Sequence, residues 1–342
     1  MLDSPPYSIG QRKKFQLPKT VRILSIDGGG VRGLIPALLL AELERLAARP
    51  IASLFDLIAG TSTGGILALG LVKPSSSGAP QYSAADMAKL YETQASQIFG
   101  RPFLHKLQSL GAVAEQKYPT KGIENVLANY FGDARLHQCL TDVLIPSYEI
   151  ERGFPFFFKS TNARTRNGYD FAMRDVARAT SAAPTYFEPC KLAAETEGDY
   201  FALIDGGVFA NNPAMCALVE ARTCNPDACT FIVVSLGTGV QKEPLLYEKA
   251  KNWGLAQWAK PVFNVVLDGG SQTVDYQLGA LSDSAGRTSY YRFQPQLSDA
   301  TRAMDNTAPT NLRRLRLLAD GLIGEHKAEL KHLAQQLSAP AQ

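Results

Sequence analysis

Three apolar segments each run directly into a glycine-rich turn that carries a polar side chain, and no other feature constrains the fold as much. VRILSI (residues 21–26) opens onto Asp27-Gly28-Gly29-Gly30-Val31-Arg32-Gly33, Leu54–Ala59 onto Gly60-Thr61-Ser62-Thr63-Gly64-Gly65, and Phe201–Ile204 onto Asp205-Gly206-Gly207. Short apolar runs rich in β-branched residues and cut off by glycine read as buried strands. The segments after the first two turns, Leu34–Arg49 and Ile66–Val72, read as helices. Strand, tight turn and helix in alternation predict an α/β fold with a mostly parallel central sheet flanked by helices. In such sheets ligands bind beyond the carboxyl ends of the strands, where all three turns fall.

The rest of the pattern extends this plan. Helices are predicted over 84–98, 121–131, 172–182 and Met215–Thr223, and one long helix from about Thr310 to Leu337 is signalled by Pro309. Val143–Ile150 and Phe154–Ser160 read as strands paired around the Glu151-Arg152-Gly153 turn, with further strands at Phe231–Ser235 and Tyr290–Phe293. The Pro/Ser/Gly-rich stretch Lys73–Tyr82 is a surface loop. There is no internal repeat. The expected organisation is an N-terminal extension (1–19), one large domain (20–325), and the end of the C-terminal helix with a tail (326–342).

Composition narrows the function. With 342 residues, 45% hydrophobic and 20% charged, the chain can bury a substantial core. Lys plus Arg (35) against Asp plus Glu (32) leaves +3, with the charges scattered apart from Arg313, Arg314 and Arg316, which argues against a nucleic-acid binder. Five cysteines form no dense framework and suit a reducing compartment, and no paired Cys or His set completes a zinc site. Met1–Thr20 lacks the apolar run of a signal peptide. Leu57–Val72 falls short of the roughly 20 residues of a spanning helix. The expectation is a cytoplasmic protein, at most peripheral at a membrane.

Gly60-Thr61-Ser62-Thr63-Gly64 fits the nucleophile-elbow pattern G-x-S-x-G, in which small neighbours let the chain turn sharply and expose the serine hydroxyl at a helix N-terminus. The same residues fit a glycine-rich turn with Ser62 as helix cap. Gly28, Gly30 and Gly33 satisfy the spacing G-x-G-x-x-G of a dinucleotide fingerprint, but the second strand ends without the acidic residue that would hold the ribose. Consecutive glycines also let backbone N–H groups converge on an oxyanion, with Arg32 adding positive charge. Asp205 would present a carboxylate at the sheet edge that carries Ser62, although an Asp-Gly pair is also an ordinary turn. Of the four histidines, His105, His137, His326 and His332, the last two lie in the polar C-terminal helix, and the chain order Ser62, Asp205, His326 matches that of an α/β-hydrolase triad.

Together, DGGGVRG (27–33), GTSTGG (60–65), ATSAAPTYFEP (179–189) and DGGVFANNP (205–213) make the chain resemble the patatin-like phospholipases over roughly residues 20–325. The resemblance implies a patatin-like three-layer fold and a lipid acyl hydrolase of phospholipase A or lysophospholipase type. It further implies a Ser62/Asp205 dyad without histidine and an acyl-serine intermediate. Gly28, Gly29 and Gly30 with Arg32 would form the oxyanion hole, and Gly60, Gly64, Gly206 and Gly207 would support the motifs. No metal or cofactor is implied. The implied partner is a phospholipid or other acyl-ester lipid at a membrane surface, with a homodimer left open. Two alternatives share the fold: a cyclic-nucleotide-activated effector phospholipase of bacterial antiphage defence, and a non-catalytic storage or binding protein. The expected cover is the Lys73–Tyr82 loop with the region 84–120, where Ile98, Phe99, Phe103 and Leu104 would meet either lipid or the core.

Overall fold

The computed structural model describes residues 20–99, 120–195, 198–228, 230–240, 245–285, 287–298, 301 and 303–339. The first half runs β1 (Thr20–Ile26), α1 (Leu34–Ala47), β2 (Leu57–Gly60), α2 (Thr63–Val72), α3 (Ala84–Phe99) and α4 (Thr120–Phe131). Then follow β3 (Asp142–Glu149), β4 (Phe154–Lys159), α5 (Ser160–Thr165), α6 (Met173–Thr180), β5 (Cys190–Ala193) and β6 (Tyr200–Asp205). The chain continues through α7 (Gly207–Ala210), α8 (Ala214–Cys224), β7 (Thr230–Leu236), α9 (Tyr247–Ala250), α10 (Leu255–Ala285), β8 (Thr288–Phe293), α11 (Pro309–Glu325) and α12 (Lys327–Ser338).

One sheet carries the order β5-β6-β3-β2-β1-β7-β8, with β4 also paired to β3. The β3-β2-β1-β7-β8 portion is parallel, as the strand–helix alternation predicts. The pairings β3–β4, β3–β6 and β5–β6 are antiparallel, so the sheet is mostly parallel with a mixed edge. Alternation along β1 sends Leu24 and Ile26 into a large core against α1, α2 and α3, and Val21 and Ile23 into a smaller one against α8 and Leu278 of α10. The sheet is thus covered on both faces, giving three layers. Leu57–Val72, the longest apolar stretch, is spent on β2 and the fully buried α2. Among the described residues no helix is long and apolar enough to cross a membrane.

Local chemistry sets several boundaries. Ser83 and Asp86 cap α3 reciprocally: the Ser83 N–H donates to the Asp86 carboxylate at 2.9 Å and the Asp86 N–H to Ser83 Oγ at 3.2 Å. The single C-terminal helix expected over Thr310–Leu337 is instead two, α11 and α12, broken at His326 with φ −98° and ψ 19°. The His326 ring meets Phe293 edge-on at 5.2 Å and its Nδ1 sits 2.8 Å from the Glu329 carboxylate. A one-residue break of this kind leaves the apolar periodicity intact, so the sequence pattern does not register it. The 31-residue α10 also escapes pattern reading, because Pro261, Gly269, Gly270 and Gly279 interrupt it as breakers would.

Candidate active site

Strand register brings the candidate residues together. Ala59 of β2 pairs with Leu144 and, farther along the same side of β3, Asp205 of β6 pairs with Ser147, while β4 fills the other side along Leu144–Glu149. Ser147 lies three residues beyond Leu144, and Ser62 lies three beyond Ala59, so Ser62, where the chain leaves β2, and Asp205, where β6 ends, stand at the same height along one side of β3. Their side chains are hydrogen-bonded, Ser62 donating to the Asp205 carboxylate.

Ser62 occupies φ 56° and ψ −122°, a region costly for a non-glycine residue, and lies between the end of β2 and the start of α2. The surroundings hold it there. Its N–H donates to Thr180 Oγ1 at 3.0 Å, and its carbonyl accepts from the N–H groups of Gly65 and Ile66 at 2.9 and 3.1 Å. Gly60 and Gly64 serve close approach rather than positive φ. A methyl group at Gly64 would lie 2.7 Å from the Ile26 carbonyl carbon and 2.9 Å from the Asp27 oxygen, and one at Gly60 would lie 2.8 Å from Gly65 N. At Gly206 it would meet Pro146 Cβ at 2.7 Å.

Asp205 is buried, and desolvation pushes its carboxyl up to about 7, against the opposing pull of hydrogen bonds from Ser62 and from the Gly207 N–H at 2.7 Å. Gly207 thus gains a definite task, supporting the carboxylate. The four glycines 28–30 and 33 divide their roles. The Gly28 N–H is already spent on the Asn211 carbonyl at 3.0 Å, whereas those of Gly29 and Gly30 make no hydrogen bond among the described residues. Gly29 and Gly30 line the cavity into which Ser62 and Asp205 open, a space of about 40 Å³ walled by Ile66, Phe99, Phe187 and Leu267. The trio expected as donors therefore narrows to Gly29 and Gly30.

Arg32 does not line that cavity. Its Nε–H donates to the Gly29 carbonyl at 3.2 Å, and its side chain borders a second, polar cavity of about 130 Å³ with Asp268, Asp275 and Gln272. Asn211, Leu267 and Met304 border both spaces. Beneath the glycine loop, Asp27 forms a bidentate pair with Arg292, Nη1 to Oδ1 at 3.0 Å and Nη2 to Oδ2 at 2.6 Å, while Nη1 also reaches Ser235 Oγ at 2.8 Å. Burial still holds the Asp27 carboxyl above its ordinary range. Arg292 escapes a reading of the sequence, because nothing local marks a residue on β8 as the counter-ion of a loop 265 positions earlier.

His326 stays at the α11–α12 junction, and neither it, His137 nor His332 lines the Ser62 cavity; His105 lies outside the described residues. The expected cover also differs. No residue of Lys73–Tyr82 borders the cavity; that loop is tied to Tyr130, whose carbonyl accepts from Tyr82 Oη at 2.9 Å and from Lys73 Nζ at 2.5 Å. Ile98 packs in the core and Phe99 forms a cavity wall, whereas Phe103 and Leu104 lie outside the described residues. Leu267 of α10 and Met304 take the place the loop was expected to fill.

A three-layer α/β protein with a serine elbow facing a buried aspartate is the class these features define. Residues 24–218 match the model of the patatin-like phospholipases. Patatin-like protein 1 of Arabidopsis thaliana is 32% identical over 89% of this chain and 81% of its own length. Patatin-like protein 2 of Oryza sativa subsp. indica is 32% identical over 90% and 85%, and a protein of Solanum tuberosum named probable inactive patatin-3-Kuras 1 is 30% identical over 92% and 90%. The chain belongs to the patatin-like phospholipase family.

Proposed function

We propose that the protein is a lipid acyl hydrolase that cleaves carboxylic esters through an acyl-Ser62 intermediate, with Asp205 as its base. The observation that carries this reading is the Ser62–Asp205 hydrogen bond inside an apolar cavity lined by two unpartnered glycines. Ser62 Oγ attacks the acyl carbonyl carbon while its proton passes to Asp205. The oxygen of the tetrahedral intermediate takes the Gly29 and Gly30 N–H groups. Asp205 then returns the proton to the departing alcohol, and the acyl group stays on Ser62. Water, deprotonated by Asp205, attacks the acyl-serine and releases the fatty acid, restoring Ser62. A carboxylate raised to about 7 is a far better base toward a hydroxyl than one at its ordinary value, since the useful catalytic pKa lies near the working pH. Arg32 acts on this scheme through the loop, by fixing the Gly29 carbonyl and with it the neighbouring amides.

The apolar walls support a fatty acyl chain as the group at Ser62, and so a phospholipid or other acyl-ester lipid as substrate. The experiment is labelling with a fluorophosphonate alongside product analysis from mixed phospholipids, for wild type and Ser62→Ala. Labelling confined to Ser62 and fatty acid release abolished in Ser62→Ala are expected. An inert wild type would favour a non-catalytic binding role.

A further inference from the structure

We infer that the outward face of α9 and the first half of α10 is the surface through which the protein docks on an anionic phospholipid bilayer. Fourteen large apolar or aromatic side chains are exposed among the described residues, and eight of them fall between Leu245 and Val266. Scattered singly, such residues need no explanation; concentrated in one segment they mark an interaction surface. Leu255, Trp258, Val262 and Val265 recur at intervals of three and four, a stripe along one side of the helix, and Leu255 is 94% exposed. An amphipathic helix of a globular protein turns such a stripe inward. Here the buried residues among those described in α10, Leu267, Ser271 and Leu278, turn inward only beyond Val266, and the stripe faces solvent.

Three observations favour a bilayer over other occupants. Both tryptophans of the chain, Trp253 and Trp258, lie in this segment, with ring centroids 5.2 Å apart at 79°, the amphipathic side chain suited to the headgroup layer. Between Glu248, which pairs with Lys251 at 2.5 Å, and Asp268 the sequence carries Lys249, Lys251 and Lys260 and no acidic residue, a modest excess of positive charge along the stripe. The stripe also lies on the helix that closes the site, because Leu267 of α10, on the inward side, lines the space that holds Ser62. A bilayer docked on the first half of α10 would therefore lie next to that wall of the cavity. The surface serves the acyl-hydrolase site proposed above, yet its binding needs no turnover.

The test uses the full chain with Ser62→Ala, so that vesicles are not consumed, and reads tryptophan emission, which reports on this segment alone. Titration with phosphatidylcholine vesicles containing roughly one-third phosphatidylglycerol is expected to shift emission to the blue and to saturate, with weaker binding to phosphatidylcholine alone. The variant Leu255→Glu/Val262→Glu/Val265→Glu should lose at least about tenfold in affinity with its circular dichroism unchanged, while Leu317→Glu, at an exposed residue on α11, binds as before. In the Ser62 background the triple variant should keep kcat/KM for a short soluble ester within about twofold, since none of its three positions borders the cavity. Emission that ignores vesicles, a triple variant that binds undiminished, or a wild-type dimer that the triple variant converts to monomer would each overturn the inference. A soluble ester left intact by the Ser62 protein would instead overturn the hydrolase reading and leave the docking result standing.

Discussion

Thr180 Oγ1 accepts the Ser62 N–H at 3.0 Å and donates to the Pro146 carbonyl at 2.6 Å, so one buried hydroxyl ties the elbow to β3, the strand along which β2 and β6 both pair. Thr180→Val keeps the shape and removes both bonds. Each backbone group left buried and unpaired costs about 1–3 kcal/mol, so the melting temperature should fall. The strained Ser62 backbone loses its anchor, and kcat should drop by at least about tenfold. Thr180→Ser, which keeps the hydroxyl, should recover most of the turnover; if it does not, the hydroxyl is not what positions Ser62.

Gly29 and Gly30 are expected to differ from the other glycines in what a methyl group does. A Cβ at Gly29 would lie 2.6 Å from Thr238 Cβ, and Thr238 Oγ1 also donates to the Gly28 carbonyl at 2.6 Å, so the loop must shift. Gly29→Ala should lower turnover by about 10²-fold through displaced amide donors, with the fold retained. Gly78→Ala is the contrast: φ +80° strains it, but nothing lies within 4 Å of the added methyl, so stability falls by about 1 kcal/mol and turnover holds. Equal losses of turnover in the two variants would remove the oxyanion role from Gly29.

Arg292 is the buried counter-ion of Asp27, and its removal should be felt as stability before activity. Arg292→Ala leaves the Asp27 carboxylate alone in the interior, a change that costs about 3–5 kcal/mol. Denaturant titration should show that loss. Arg292→Lys keeps the charge but not the fork that meets both carboxylate oxygens, and should fall between the two. A wild-type midpoint for Arg292→Ala would mean that Asp27 needs no partner.

Much of the site is legible in the sequence because its chemistry sits at strand ends, where an apolar run, a glycine turn and a polar residue are contiguous. Ser62 and Asp205 can be read that way, and the parallel portion of the sheet follows from the same alternation. The rest depends on contacts between distant segments. The Gly28 amide is lost as a donor only because Asn211 lies beside it, Arg32 turns to the polar cavity only because Asp268 and Gln272 of α10 border it, and Arg292 of β8 reaches Asp27 past the intervening β7. The helix α10 that closes both cavities is hidden by its own proline and glycines.

The pH dependence of turnover follows from Asp205. It must be ionised to accept the Ser62 proton, and with its carboxyl raised to about 7 the active fraction should fall about tenfold per pH unit below that value. This limb coincides with the range of an ordinary histidine, near 6.5, so its position alone does not separate the two bases. The decisive measurement is kcat/KM for a soluble p-nitrophenyl ester from about pH 5 to 9 in wild type and in each of the four His→Ala variants. All five profiles should share one limb. Its disappearance in any histidine variant would replace Asp205 as the base.

The same carboxyl makes stability run opposite to activity. Because Asp205 is held at about 7 in the folded protein against 3.8 as the ordinary value, the native state keeps its proton between those values while the unfolded chain has lost it. This contribution to stability is fully present below 3.8 and is lost as pH rises through about 7, where the folded protein must hold a desolvated charge. Asp205→Asn removes that charge, so at pH near 8.5 it should abolish turnover and raise stability by roughly 1–4 kcal/mol, an advantage that shrinks toward pH 5. Denaturant unfolding at the two pH values checks both the sign and the trend. An Asp205→Asn protein less stable than wild type at pH 8.5 would mean that its hydrogen bonds from Ser62 and Gly207 outweigh its burial, and that the carboxylate is not the raised base the mechanism requires.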